Sequence, residues 1–135
     1  MKGVETALKI KKQELSEEER RLKELLLKVE ELKERERETL KRLRLIKNFK
    51  VRNPIELGLC KETGRVFLKE ITRLRSEIET LRENIEKQRE RIAVKRGEVR
   101  AIEQFIERRK REKEKREELL LERFVHEIFV SRFNS

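Results

Sequence analysis

The segment FLKEITRLRSEIETLRENIEKQRERIAVKRGEVRAIEQFI, Phe67–Ile106, decides the fold because apolar side chains recur in it at alternating steps of four and three. Ten of the twelve positions in this run are apolar. A stripe that repeats roughly every 3.5 residues keeps two supercoiled helices in contact along a buried seam. The segment therefore predicts one arm of a coiled coil. Its seam positions are Phe67, Ile71, Leu74, Ile78, Leu81, Ile85, Gln88, Ile92, Lys95, Val99, Ile102 and Ile106.

A run with the same spacing precedes it, and nine of its thirteen positions are apolar. Between the two runs, residues 48–65 hold the only Pro and two of the four Gly. We therefore predict an all-α fold, an elongated antiparallel two-helix coiled-coil hairpin with a longer second helix. The first run consists of Val4, Leu8, Lys11, Leu15, Glu18, Leu22, Leu25, Val29, Leu32, Glu36, Thr39, Leu43 and Ile46.

The predicted layout is one coiled-coil unit over residues 1–135, with helices over 4–47 and 66–130 and a bend over 48–65. Asn53-Pro54-Ile55-Glu56 matches a helix start, so the bend should contain a short helical turn that ends at Thr63-Gly64. Folding the chain back about this bend pairs residues whose numbers sum to about 113, which places Leu43 near Phe67–Ile71. Residues beyond about Lys110 then have no partner within the chain.

This overhang begins with the charged stretch ERRKREKEKREE, residues 107–118, and continues into the most hydrophobic residues of the protein. A wide apolar face at a helix end is typical of an interaction surface. The alternative is a bend in the helix that packs this end on Val4, Ala7, Leu8 and Ile10. The apolar residues are Leu119, Leu120, Leu121, Phe124, Val125, Ile128, Phe129, Val130 and Phe133.

Charge is concentrated at the predicted bend. Residues 41–65 contain eight Lys or Arg against two Glu, a net +6 out of the +10 of the whole chain. Cations that contact phosphates release counterions, so a nucleic-acid partner is one interpretation. The sequence has no zinc pattern and no recognisable recognition helix, and a charge run is more often a solvated helix face. The basic patch consists of Lys41, Arg42, Arg44, Lys47, Lys50 and Arg52.

The sequence offers little for catalysis, and we predict no enzyme, cofactor or small-molecule substrate. It has no Asp and no Gly-rich phosphate loop, and one Cys with one His cannot assemble a metal set. Cys60 is interpreted as a reduced thiol in a loop and His126 as a partly buried interface residue. No apolar stretch approaches the roughly 20 residues of a membrane span, and Met1–Ile10 does not resemble a signal peptide. A cytoplasmic protein is expected.

Two segments resemble the FliJ family of flagellar export proteins, which is related to the YscO-type stalk proteins of type III secretion. Arg65-Val-Phe-Leu-Lys-Glu-Ile-Thr-Arg-Leu-Arg-Ser-Glu-Ile78 has an FLxxxxxLxxxI spacing, and the family carries a Phe-Leu segment after its bend. The tail reads His126-Glu-Ile-Phe-Val-Ser-Arg-Phe133, and family members often end in an acidic pair, an apolar pair and Arg-Phe.

The resemblance implies a non-enzymatic cytoplasmic stalk, peripheral to the inner membrane, that enters a hexameric export ATPase ring. It also implies contacts with the export gate and with substrate chaperones. Carried onto this chain, the ATPase contact would be Leu120, Phe124, Ile128 and Phe133. The export-gate contact near the bend would be Leu43, Ile46, Phe49, Phe67 and Ile71.

Two other functions remain open from the residues alone. One is a generic or prefoldin-like coiled-coil scaffold or chaperone that oligomerises through the apolar tail. The other is a hairpin that binds nucleic acid through the basic bend.

Overall fold

The computed structural model describes residues 2–134 and shows two α-helices there, α1 (Lys2–Lys47) and α2 (Pro54–Asn134). They contain 46 and 81 residues, and no strand occurs among the described residues. The predicted all-α class with a longer second helix is confirmed. The high content of Glu, Lys and Arg, which are good helix formers, explains why both helices continue without a break.

Helix α1 ends in a basic last turn that contains Arg44 and Lys47, and positive charge there opposes the negative end of the helix dipole. Backbone N–H groups of Asn48 and Phe49 donate to the carbonyl oxygens of Arg44 and Ile46 at 3.0 and 3.1 Å. These two bonds satisfy carbonyl groups at the helix end that would otherwise lack partners.

Helix α2 begins with the cap predicted from the sequence. The Asn53 Oδ1 accepts a hydrogen bond from the Glu56 backbone N–H at 2.9 Å. The Glu56 carboxylate in turn accepts one from the Arg52 backbone N–H at 2.9 Å. Pro54 occupies the first helical position, where its missing N–H costs no hydrogen bond.

The predicted break after this start is wrong, because α2 passes through Thr63 and Gly64 without interruption. The connection between the helices is therefore residues 48–53, rather than 48–65. Gly64 lies beside α1: a Cβ placed on it would lie 3.9 Å from the Cδ1 of Leu43, an ordinary van der Waals distance. The glycine is therefore an interior position of α2 and not the predicted stop signal.

The chain divides into two compact units. Residues 16–93 form the first, and residues 1–15 with 94–135 form the second. A two-helix seam brings each residue only to those directly opposite it, so contacts cluster locally along it.

In the unit of residues 16–93, α1 and α2 pack antiparallel around an apolar core. The core contains Val29, Leu32, Leu74, Ile78 and Ile85, with Leu74 fully buried. Half-buried Leu22, Leu25 and Leu81 complete it.

Cross-helix contacts in this unit define the pairing of residues. Arg75 Nε lies 2.8 Å from Glu36 Oε1, and the Gln88 side-chain amide donates to the Glu18 backbone carbonyl at 2.9 Å and to the Glu18 carboxylate. The residue numbers of these pairs sum to 111 and 106. Both sums are slightly lower than the expected 113, in keeping with the shorter connection. Leu43 lies beside Gly64 in this pairing.

In the unit of residues 1–15 and 94–135, the described parts of the helices also run antiparallel, and ionic contacts join them. Lys95 Nζ lies 2.7 Å from Glu14 Oε2, and Lys11 Nζ lies 3.0 Å from Glu98 Oε2. The hydrogen bond from Lys95 lowers the pKa of the Glu14 carboxyl. The ion pair with Glu98, helped by the charge of Glu14, raises the pKa of Lys11.

All predicted seam positions, in both helices, are buried or half-buried. The two heptad runs therefore identify the packed face of each helix. The seam also extends to half-buried Cys60 and Gly64, which continue the same spacing toward the start of α2.

Candidate functional site

Two surfaces of the described chain expose apolar side chains together. One is the apolar tail, defined as residues 119–133 of α2. The other is the bend groove, defined as the depression lined by Leu45, Ile46, Phe49, Glu56, Leu59, Cys60 and Thr63. Each lies within a single compact unit.

The apolar tail is helical, and every residue from 107 to 133 is exposed. Its nine apolar side chains are 39–76% exposed. The alternative in which the helix bends and packs this end on Val4, Ala7, Leu8 and Ile10 is therefore wrong for this structure. All four predicted ATPase-contact residues lie on this accessible surface: Leu120, Phe124, Ile128 and Phe133.

The apolar side chains of the tail surround the helix. At about 100° per residue, the nine positions leave no angular gap wider than about 80°. That gap is occupied by Arg123 and Glu127. The sequence predicts one wide apolar face for this segment. In the continuous helix α2 these residues are distributed around the whole circumference. A helix that is hydrophobic all round is normally buried.

Aromatic and apolar residues also group along the tail. The rings of Phe129 and Phe133 pack with centroids 4.6 Å apart. Leu121, Val125 and Phe129 line an open groove of about 400 Å³, together with Glu122 and His126. His126 is exposed in the free chain, so its predicted burial in an interface would require a partner.

A charged collar, residues 107–118, precedes the tail and is exposed along its length. Arg111 Nη2 lies 2.9 Å from Glu107 Oε1 within it, and the Arg109 guanidinium lies 5.6 Å from the centroid of the Phe105 ring. Exposed pairs of this kind contribute little stability. The collar keeps the helix solvated between its seam and its apolar tail.

The bend groove is an open depression of about 350 Å³ between the last turn of α1 and the first turns of α2. Leu45, Phe49 and Leu59 are largely exposed. The thiol of Cys60 is free and half-buried, and it lies in α2 rather than in the predicted loop. Leu45, Leu59, Cys60 and Thr63 were not predicted from the sequence as residues of a functional surface. Leu45 and Leu59 lie off the heptad seam, and apolar residues off the seam near a turn were the available signal.

The residues predicted for the export-gate contact do not share one surface. Leu43, Ile46 and Phe67 are half-buried in the seam, and Phe49 is exposed in the groove. Ile71 is only 5% exposed, so it is part of the packing between the helices and is not available to a partner.

The basic patch is fully accessible. All six side chains are exposed, and within residues 2–134 none of them forms an ion pair with a carboxylate. Arg52 contributes only its backbone N–H to the cap of α2. The patch residues are Lys41, Arg42, Arg44, Lys47, Lys50 and Arg52.

No family model, curated protein or solved structure matches this chain. Among the described residues, no group of three His, Cys, Asp or Glu side chains is placed to hold a metal ion. No helix in that part of the chain is both long and apolar enough to cross a membrane.

Proposed function

We propose that this protein is a non-enzymatic stalk or adaptor of the flagellar (type III) protein-export apparatus. In this role it couples a hexameric export ATPase to the membrane export gate and to substrate chaperones. It works in the cytoplasm, peripheral to the inner membrane. The proposal combines the resemblance of Arg65–Ile78 and His126–Phe133 to the FliJ family with the exposed apolar tail.

The tail is the observation that carries the proposal. Nine apolar side chains around one helix require a partner that encloses the helix, because contact with one side would leave the others in water. The central opening of a ring of subunits provides such an enclosure. A flat partner surface does not.

The bend supplies the second contact. Phe49 is the predicted gate residue with the largest exposed surface there, and it lies beside the basic patch. Ile71 is left out of this contact because it is buried between the helices.

Removal of residues 119–135 tests the proposal. The truncated chain keeps every seam residue, so we expect its helical content and the midpoint of its urea denaturation to stay close to those of the full chain. Co-purification with the export ATPase and stimulation of ATP hydrolysis should both be lost.

A matched control is Leu27→Ser with Val94→Ser, because both residues are exposed apolar side chains outside the tail. This variant should bind and stimulate the ATPase like the wild type. Stimulation that persists in the truncated chain would contradict the proposal.

Self-association is the second candidate, because another copy of the chain could also bury an apolar tail. Sedimentation at micromolar concentration distinguishes the two. A stable oligomer that disappears on truncation, without any binding to the ATPase, would favour a scaffold.

A further inference from the structure

The bend groove combines an apolar floor with a cationic border. Leu45, Phe49 and Leu59 project into a depression that opens to solvent. Lys41 and Arg42 precede Leu45 and Ile46 by four residues, so they lie on the same side of α1 one turn away. The groove is therefore continued along the helix by two positive charges.

The positive charge at this end is uncompensated. Six exposed cations between residues 41 and 52 form no ion pairs among the described residues. The one acidic residue in the groove, Glu56, accepts a hydrogen bond from the Arg52 N–H and lies in the first turn of α2. The positive end of the helix dipole partly offsets its charge there.

We propose that the bend groove binds an acidic amphipathic helix of a partner protein. The apolar ridge of that helix fills the groove, and its carboxylates face Lys41, Arg42 and the remaining cations of the basic patch. Helix-in-groove recognition uses this combination of a hydrophobic ridge and complementary charge. The inference rests on the proposed function for the identity of the partner, which would be a gate or chaperone segment.

The shape of the groove favours a helix over other acidic partners. A membrane surface cannot enter a depression about 350 Å³ in volume, whereas a ridge of side chains can. Nucleic acid would satisfy the cations but would leave Leu45 and Phe49 exposed. The chain's own apolar tail has two Glu and two Arg, so it gains nothing from the positive charge.

The test uses the full chain and synthetic helical peptides. The probe has Leu at positions i, i+3, i+4 and i+7 with Glu elsewhere, and a matched peptide has Lys in place of Glu. By fluorescence anisotropy at low salt, the acidic peptide should bind at least about tenfold more tightly than the basic one. Its affinity should fall as salt rises, because the flanking charges are exposed.

Variants of the groove locate the binding. Leu45→Asp with Phe49→Asp should weaken binding of the acidic peptide at least about tenfold. Leu27→Asp, at a similarly exposed leucine, should not change it. Lys41→Glu with Arg42→Glu should weaken binding, whereas Lys23→Glu with Lys28→Glu makes the same charge change elsewhere on α1 and should have a smaller effect.

Cys60 provides an independent readout because it is the only cysteine and lines the groove. At ten times the dissociation constant, bound peptide should slow alkylation of its thiol about tenfold. The inference is overturned if the acidic and basic peptides bind with the same affinity, or if Leu45→Asp with Phe49→Asp weakens binding no more than Leu27→Asp does. It is also overturned if anionic vesicles or duplex DNA bind more tightly than the acidic peptide.

These outcomes are separate from the test of the proposed function. Loss of ATPase stimulation on truncation, with no peptide binding at the bend, would overturn only the groove inference. Peptide binding in a chain whose truncation leaves stimulation unchanged would overturn only the stalk function.

Discussion

Two parts of α2 have similar apolar residues but opposite surroundings. In the seam, Leu74 is completely buried against α1, whereas in the apolar tail Leu120 is 64% exposed. Seam residues recur at one face of the helix, and the tail residues surround it. The difference shows that spacing, and not hydrophobicity alone, separates a surface that stabilises the fold from one that is available to a partner.

Burial of the apolar tail by a partner would release a substantial free energy. Full burial of one large aliphatic or aromatic side chain contributes about 1.5–3 kcal/mol. The seam residues gain this within the chain, whereas the nine tail residues gain it only when a partner covers them. This is the physical reason to expect tight binding at the tail and little contribution from it to folding.

The largest expected effect is the contrast between Leu74→Ala and Leu120→Ala. The first removes a fully buried side chain from the seam and should lower the free energy of unfolding by about 2–5 kcal/mol. The second alters an exposed position and should change it by less than about 0.5 kcal/mol. Urea denaturation followed by circular dichroism measures both.

We expect the opposite ranking for affinity to the ATPase, measured under conditions where both variants are folded. Leu120→Ala should weaken binding more than Leu74→Ala does. Equal destabilisation by the two variants would show that the tail packs within the chain.

A smaller effect concerns the ionic contacts of the seam. Because the hydrogen bond from Lys95 lowers the pKa of Glu14 in the folded chain, this interaction contributes stability above the ordinary carboxyl pKa. The contribution is lost as the pH falls through the lowered folded value. Glu14→Gln should therefore lower the melting temperature at pH 7 and have less effect near pH 3.

The matched control is Glu17→Gln, at an exposed residue that forms no ion pair within the described chain. It should shift the melting temperature less at pH 7. The ionic contribution is contradicted if Glu14→Gln and Glu17→Gln follow the same pH profile.

Most of the fold could be predicted from heptad spacing. The positions from Val4 to Ile46 and from Phe67 to Ile106 are buried or half-buried as expected, because a repeat close to 3.5 residues has one packing solution. The length of the connection could not be predicted in this way. Gly64 is a residue type typical of a helix stop, yet α2 continues through it beside Leu43.

The candidate surfaces were predicted less completely. The tail follows from unequal helix lengths, so its exposure could be expected. Ile71 is predicted to contact a partner, but it continues the seam spacing and is buried between the helices. The bend groove depends on how Phe49 meets Leu59 across the connection, and the periodicity within one helix cannot specify that.

Hydrogen–deuterium exchange of the full chain, with and without the purified export ATPase, shows whether the ring covers the apolar tail. We expect the backbone amides of residues 119–133 to exchange readily in the free protein and to become protected in the complex, while the seam changes little. If the complex forms and these amides remain unprotected, the apolar tail is not the surface that the ring encloses.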